Sequence, residues 1–130
     1  MEIASFPDES LEVLRELGDL EWLSILHMPK VTSLSPLAGL AGLRLLSLAT
    51  LPGWDASGRR TVVESLVPLA QLEKLAHLAL LGVTTPSKSL RDLECCKRLR
   101  TATLLGFLRA EVARFIAATG VRDALPATVA

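Results

Sequence analysis

Leu34-Ser-Pro-Leu37-Ala-Gly-Leu40-Ala-Gly-Leu43-Arg-Leu45-Leu46-Ser-Leu48-Ala-Thr-Leu51 sets leucines three apart from Leu34 to Leu46, then two apart to Leu48, then three apart to Leu51. A helix repeats its apolar positions every three and four residues, and a strand every second residue. Neither keeps this spacing over such a length. A coil that turns one corner per leucine and ends in a short strand does. The rhythm returns along the chain. Leu11, Leu14, Leu17, Leu20, Leu23, Ile25 and Met28 form a first full repeat, and the quoted stretch is the second. Leu66, Leu69, Leu72, Leu75, Leu78, Leu80 and Val83 form a third, and Leu90, Leu93, Cys96, Leu99, Ala102, Leu104 and Phe107 a fourth. Met1, Ile3 and Phe6 carry only the closing steps, as a half repeat. Self-similarity at this period marks a stack of like units.

Size and composition fit that reading. The 130 residues suit one domain, half of them are apolar and 28 are leucine. With no tyrosine, no asparagine and few aromatics, the core is aliphatic and no turn can rely on asparagine. Fourteen basic residues balance fourteen acidic ones, so composition gives no basic excess for nucleic acid or an anionic membrane. No apolar run approaches the roughly 20 residues that span a bilayer. The start lacks the basic region and apolar core of a secretory signal. Cys95 and Cys96 are adjacent, a poor geometry for pairing, and the expected setting is reducing and cytoplasmic. The two cysteines and the distant His27 and His77 show no metal-ligand spacing.

Leu20-x-x-Leu23-x-Ile25, Leu43-x-x-Leu46-x-Leu48, Leu75-x-x-Leu78-x-Leu80 and Leu99-x-x-Ala102-x-Leu104 resemble the leucine-rich-repeat family. The connecting pieces Leu34-Ser-Pro-Leu37, Leu66-Val-Pro-Leu69 and Leu90-Arg-Asp-Leu93 look like its short-repeat subclass of about 22 residues, as in internalins and phosphatase regulators. The likeness runs from residue 1 to about 107. It implies an α/β fold: a right-handed leucine-rich-repeat solenoid with about five short parallel strands on a concave face, turns on the convex side, and use in protein binding. One position departs from the family. Where asparagine or cysteine usually follows the strand by three residues, this chain has Met28, Leu51, Val83 and Phe107. Turn amides must then find other partners, since a buried unpaired group costs about 1–3 kcal/mol.

Other segments depart from the repeat. Pro7-Asp8-Glu9-Ser10 before an acidic, leucine-bearing stretch and Gly18 predicts a helix over 8–17. Pro36 and Pro68 can open short helical turns, because proline's missing amide is not needed there. The surplus length of repeat two lies in residues 52–60, whose proline, glycines and serine mark a loop insertion. The spacing of Leu108, Val112, Phe115 and Ile116 predicts a helix over 108–119, stopped by Gly120, as a C-terminal cap for the repeat domain of residues 1–120. The tail, 121–130, is expected to be loose. At the amino end the rhythm begins inside a strand, and three arrangements answer its open edge: a longer protein, pairing with a second copy, or helix 8–17 folded over it.

Because strand residues alternate, the residues between the leucines face outward. These are Trp22, Ser24 and Leu26; Leu45, Ser47 and Ala49; His77, Ala79 and Leu81; and Thr101, Thr103 and Leu105. The central column is small, and the column Leu26, Ala49, Leu81, Leu105 is apolar, as at a contact surface. Cover by the chain's own tail is the competing explanation. Trp54, with Asp55, Arg59 and Arg60 in the inserted loop, is a secondary candidate knob, set against folding back on the convex flank. No carboxylate or nucleophile is placed to work with His27 or His77. Cys96 belongs to a core position and Cys95 beside it is more exposed. The expectation is a non-catalytic module that holds another protein or peptide on its concave face, with no enzyme activity, cofactor, nucleic-acid or membrane partner. The alternative is a self-associating structural unit, binding a second copy of itself, or a sensor fragment of a larger signalling protein.

Overall fold

A computed structural model of the chain describes residues 2–3, 10–28, 30–50, 61–96, 98–105 and 107–123. The three-residue leucine step proves to be a hydrogen-bonding step. The amide of Leu14 donates to the carbonyl of Leu11, that of Leu17 to Leu14, and that of Leu20 to Leu17. The same sequence of bonds, 2.9–3.1 Å long, runs through Leu34, Leu37, Leu40 and Leu43, through Leu66, Leu69, Leu72 and Leu75, and through Leu90, Leu93, Cys96 and Leu99. In such tight turns side chains three apart eclipse, so a run of them sends leucines to one side. The regular pieces are 3-10 turns at Glu12–Leu14, Ser35–Gly39 and Arg91–Cys95, and a helical turn α1 at Val67–Ala70.

A serine precedes the first leucine of every full repeat. The hydroxyls of Ser10, Ser33, Ser65 and Ser89 accept from the amides of Glu12, Ser35, Val67 and Arg91, at 3.2, 3.2, 3.0 and 3.2 Å. These local bonds start each turn by serving an amide that has no partner in the turn itself.

After each run of turns the chain extends. The strands are β1 (Glu2–Ile3), β2 (Trp22–Ile25), β3 (Leu45–Ala49), β4 (Thr61–Val62), β5 (His77–Leu81), β6 (Val83–Thr84), β7 (Thr101–Leu105) and β8 (Arg122–Asp123), with helix α2 (Arg109–Thr119) before the last. Six of them form one parallel sheet in the order β1-β2-β3-β5-β7-β8. The turns stack in a second layer, from Glu12–Leu14 through Ser35–Gly39, α1 and Arg91–Cys95 to α2. Between the layers lie the leucines. Leu23, Ile25, Leu46, Leu48 and Leu80 are wholly buried from the sheet side, and Leu11, Leu37, Leu69 and Leu93 from the turn side. Each such side chain contributes about 1.5–3 kcal/mol by burial.

The apolar residues in place of asparagine are core residues: Met28 and Val83 are fully buried and Phe107 nearly so. The turn at Met28 is served by threonine. The Met28 amide donates to Thr50 Oγ1 (3.2 Å), and Thr61 Oγ1 donates to the Met28 carbonyl (2.7 Å). The two hydroxyls are 2.6 Å apart. Since Thr61 has spent its only proton on a carbonyl, the proton between the hydroxyls comes from Thr50. The four groups close a ring. A second parallel pair, β4 with β6, continues this satisfaction behind the main sheet. The Thr50 amide reaches the Leu81 carbonyl (2.8 Å), Thr61 reaches Gly82 (3.0 Å), and Gly82 reaches Leu105 (2.9 Å).

Several expectations change. The helix predicted over 8–17 is, within the described residues, one 3-10 turn at Glu12–Leu14. The three-residue leucine spacing outweighs the helical start signals, and the turn stacks on Ser35–Gly39 like its counterparts. Leu17 is more than a third exposed rather than in the core. Helix α2 begins at Arg109, because Leu108 is extended (ψ 140°) and mostly exposed; Val112, Phe115 and Ile116 do pack inward. Gly120 ends the helix at φ +74°, a conformation that favours glycine, with its amide on the Ile116 carbonyl at 2.8 Å. The chain beyond it is not loose at first. Val121 is buried and Arg122–Asp123 pairs with β7, which makes the sixth strand. Met1, Phe6, Leu51 and the inserted loop 52–60 lie outside the described residues.

Helix α2 is tied to the turn layer through charge. Glu111 accepts the Leu90 amide (2.7 Å) and two bonds from Arg114 (2.7 and 2.8 Å), and Arg114 also reaches Glu94 (3.0 Å). The Arg114 hydrogen bonds first, then the Leu90 amide, hold the Glu111 carboxyl well below its ordinary 4.5, at about 2. Those carboxylates in turn raise Arg114.

Candidate protein-interaction face

The register sets the outward residues in rows across the sheet. Trp22, Leu45, His77 and Thr101 are direct neighbours, and the row continues to Arg122. Ser24, Ser47, Ala79 and Thr103 form the central row, which begins at Glu2. Ala49, Leu81 and Leu105 form the third, and Leu26 follows β2 at the same level. The alternating residues of all four strands point into the core, so these rows make the sheet's open face.

That face is exposed unevenly. Trp22 is 48% exposed, and Leu45 and Leu105 are 39% exposed each. Ser24, Leu26, Ser47, Ala79, Leu81, Thr101 and Thr103 are half-buried, and His77 is exposed. Ala49 departs from expectation: it is buried, at 2%. A single methyl flanked by leucines in its row is shorter than its neighbours and is shielded by them. The exposed apolar surface is therefore weighted toward Trp22 and Leu45, where β2 and β3 begin, with Leu105 at the far corner. Between them a shallow depression of about 290 Å³ is lined by Leu45, Leu46, Ser47, His77, Leu78, Ala79, Thr101 and Thr103. His77 Nδ1 lies 2.7 Å from Thr101 Oγ1, a bond that holds the imidazole across two strands.

His77 also borders a larger cavity, of about 650 Å³, lined by Arg44, Lys74, Ala76, His77, Arg98, Leu99 and Arg100. The outward rows do not include these cations. They sit just before the strands, where the sheet's bonding extends one residue further. The Arg44 carbonyl accepts the amides of Ala76 (2.8 Å) and His77 (3.0 Å), and the Ala76 carbonyl those of Arg100 (2.7 Å) and Thr101 (3.2 Å). Superposing the repeats on their leucines puts Arg44 level with Arg100 and Lys74 level with Arg98, while repeat one has Glu21 and Asp19 there. The signal was present in the sequence, but it lies outside the strand positions that the leucine pattern picks out.

Trp54, Asp55, Arg59 and Arg60 lie outside the described residues. His27 is buried at a bridge to Thr50, away from the His77 row. Cys96 is half-buried against the core, with its thiol 3.7 Å from the Leu69 carbonyl. Among the described residues no group of three or more His, Cys, Asp or Glu is placed to hold a metal ion. No helix among them is long and apolar enough to cross a membrane.

No family model matches the chain, and no curated protein matches it. Among solved structures, internalin C2 of Listeria monocytogenes aligns over 75% of this chain and 46% of its own, at 21% identity and a TM-score of 0.45. A second internalin of that organism, inlF, aligns over 91% of this chain and 53% of its own, at 13% identity and a TM-score of 0.32. The chain thus spans about half the length of either. Its own register and leucine core decide the architecture. The architecture is an α/β stack of leucine repeats, with a parallel sheet on one side and a layer of turns on the other.

Proposed function

We propose that the chain is a non-catalytic protein-interaction module that holds a protein or peptide on the open face of its sheet. The observation that supports this most is the contrast between the two faces. One is sealed by fully buried leucines, while the other presents Trp22, Leu45 and Leu105 around small, hydroxyl-bearing residues. Exposed aromatic and apolar groups around a shallow depression suit a contact surface. Small residues at Ser47, Ala79 and Thr103 let a partner backbone or helix approach closely. The working set is Trp22, Ser24, Leu26, Leu45, Ser47, His77, Ala79, Leu81, Thr101, Thr103 and Leu105, without Ala49.

The test changes Leu81 and Leu105 to Lys and compares affinity capture, read by mass spectrometry, with light-scattering mass. The expected result is a folded chain that loses the partners the unchanged protein captures. A folded variant with unaltered partners and mass removes this face from consideration. A monomer in both cases counts against the self-assembling alternative.

A further inference from the structure

The chain is neutral overall, yet along the edge where the strands begin its charges are segregated, with Asp19 and Glu21 in repeat one and cations in the later repeats. Arg44, Lys74, Arg98 and Arg100 converge on one cavity of about 650 Å³, and among the described residues no carboxylate lines it. All four are exposed, and among the described residues none of them is in an ion pair. The backbones of Arg44 and Arg100 are held by the amide–carbonyl ladder through Glu21, Arg44, Ala76 and Arg100. Like charges held this close repel one another unless a counter-charge sits among them. His77 borders both this cavity and the depression on the open face.

From this geometry we infer that the groove binds an acidic, Asp/Glu-rich segment of a partner protein, whose apolar side chains rest against Leu45 and the small central row. The inference rests on the reading of the open face as a protein-binding surface, and it names the partner's chemistry. Charge complementarity selects the occupant. Arg44 and Arg100 are two strand spacings apart, about 10 Å at ~4.8 Å each, and a peptide in the extended polyproline II form, with three residues per turn at ~3.1 Å each, covers that in about three residues and brings every third side chain to one face. Carboxylates at every third position therefore meet both ends of the groove. A nucleic acid is a poorer match, because among the described residues no Phe, Tyr or Trp lines the cavity for bases to stack on, and its one imidazole, His77, is held by its bond to Thr101. A second copy is also poorer. Its exposed carboxylates Asp19 and Glu21 lie on the same edge as the four cations, so a copy set face to face brings more positive charge than negative.

The experiment uses the full chain and a fluorescein-labelled peptide built on an Asp-Ala-Val repeat, with an Asn-Ala-Val peptide as the neutral counterpart, read by fluorescence anisotropy. The aspartate peptide is expected to bind, to weaken as salt rises from about 50 to about 200 mM, and to weaken at least about tenfold in a variant with Arg44→Glu and Arg100→Glu. Circular dichroism checks the fold. Should that variant unfold, Lys74→Glu with Arg98→Glu reads the same loss. Arg91→Glu, which reverses an exposed cation in the turn layer away from the groove, leaves peptide binding in place.

Equal binding of the two peptides, or equal binding by wild type and the charge-reversed variants, overturns the inference. So does a single-stranded oligonucleotide that binds more tightly than the peptide through the same arginines. Self-association in sedimentation that the Arg44→Glu and Arg100→Glu changes abolish gives the groove to a second copy instead. If the peptide fails while Leu81→Lys with Leu105→Lys still strips partners from the chain, the acidic-segment reading falls and the module reading stands.

Discussion

The threonine ring behind the sheet offers the sharpest test of how this chain manages without asparagine. Thr50 and Thr61 are buried, at 0% and 1%, and between them serve both backbone groups of Met28. Thr50→Val removes the acceptor of the Met28 amide. Thr61→Val removes the donor to the Met28 carbonyl. Each swap nearly keeps volume, so the main cost is a buried polar group without a partner, about 1–3 kcal/mol. In Thr61→Val the Thr50 hydroxyl can still turn to the Ala49 carbonyl, 2.9 Å away, which places that variant toward the lower end. Both single changes break the same hydroxyl–hydroxyl bond. The double variant therefore costs less than the sum of the singles by about 1 kcal/mol. For a chain of this length 1 kcal/mol moves the melting temperature by about 4 °C. Differential scanning calorimetry with a urea titration reads both effects, and Thr103→Val on the open face serves as reference. Either single variant within about 0.5 kcal/mol of wild type, or strict additivity, refutes the ring.

Two further expectations follow from the core and from helix α2. Leu46 is wholly buried in β3, so Leu46→Ala costs about 2–5 kcal/mol and Leu46→Asp, which adds an unpaired charge, unfolds the domain by circular dichroism; an unchanged melt refutes the register. Glu111 titrates at about 2 in the folded chain against an ordinary 4.5, so the folded state binds fewer protons and the stabilisation is whole above pH 4.5 and fades as pH falls toward 2. Glu111→Gln lowers stability near pH 7 by about 1 kcal/mol and flattens the pH dependence between 4.5 and 2; parallel wild-type and variant curves in that window contradict the role given to this carboxylate.

Much of the fold was legible because one residue type repeats at one spacing. Leu43, Leu46 and Leu48 are core residues both by pattern and by burial, as are Leu23 and Ile25 in repeat one and Leu75, Leu78 and Leu80 in repeat three, while Leu20 is only partly buried. The proline turns at Pro36 and Pro68 also formed where expected. The helix over 8–17 did not, since start signals and composition describe local preference while stacking on the next repeat selected a single tight turn. The exposed rows of the open face could be assigned from strand alternation, but Ala49 could not, because its burial depends on the length of its neighbours. The cationic groove escaped notice for a related reason. Arg44, Lys74, Arg98 and Arg100 are scattered over 57 positions of sequence and come together only when the repeats stack.

The sequence by itself determined the repeat, its register and the choice of leucines for the core, since a three-residue spacing admits few ways of turning all those side chains to one side. Tertiary structure decided what the spacing leaves open. It set Thr50 and Thr61, far apart from Met28 in the chain, around the backbone groups that asparagine would otherwise serve. It returned Arg122–Asp123 to the sheet and gathered four cations on one edge. Burial follows from local periodicity. Hydrogen bonds and fields between repeats depend on which levels lie side by side, and that is settled only when the coil closes.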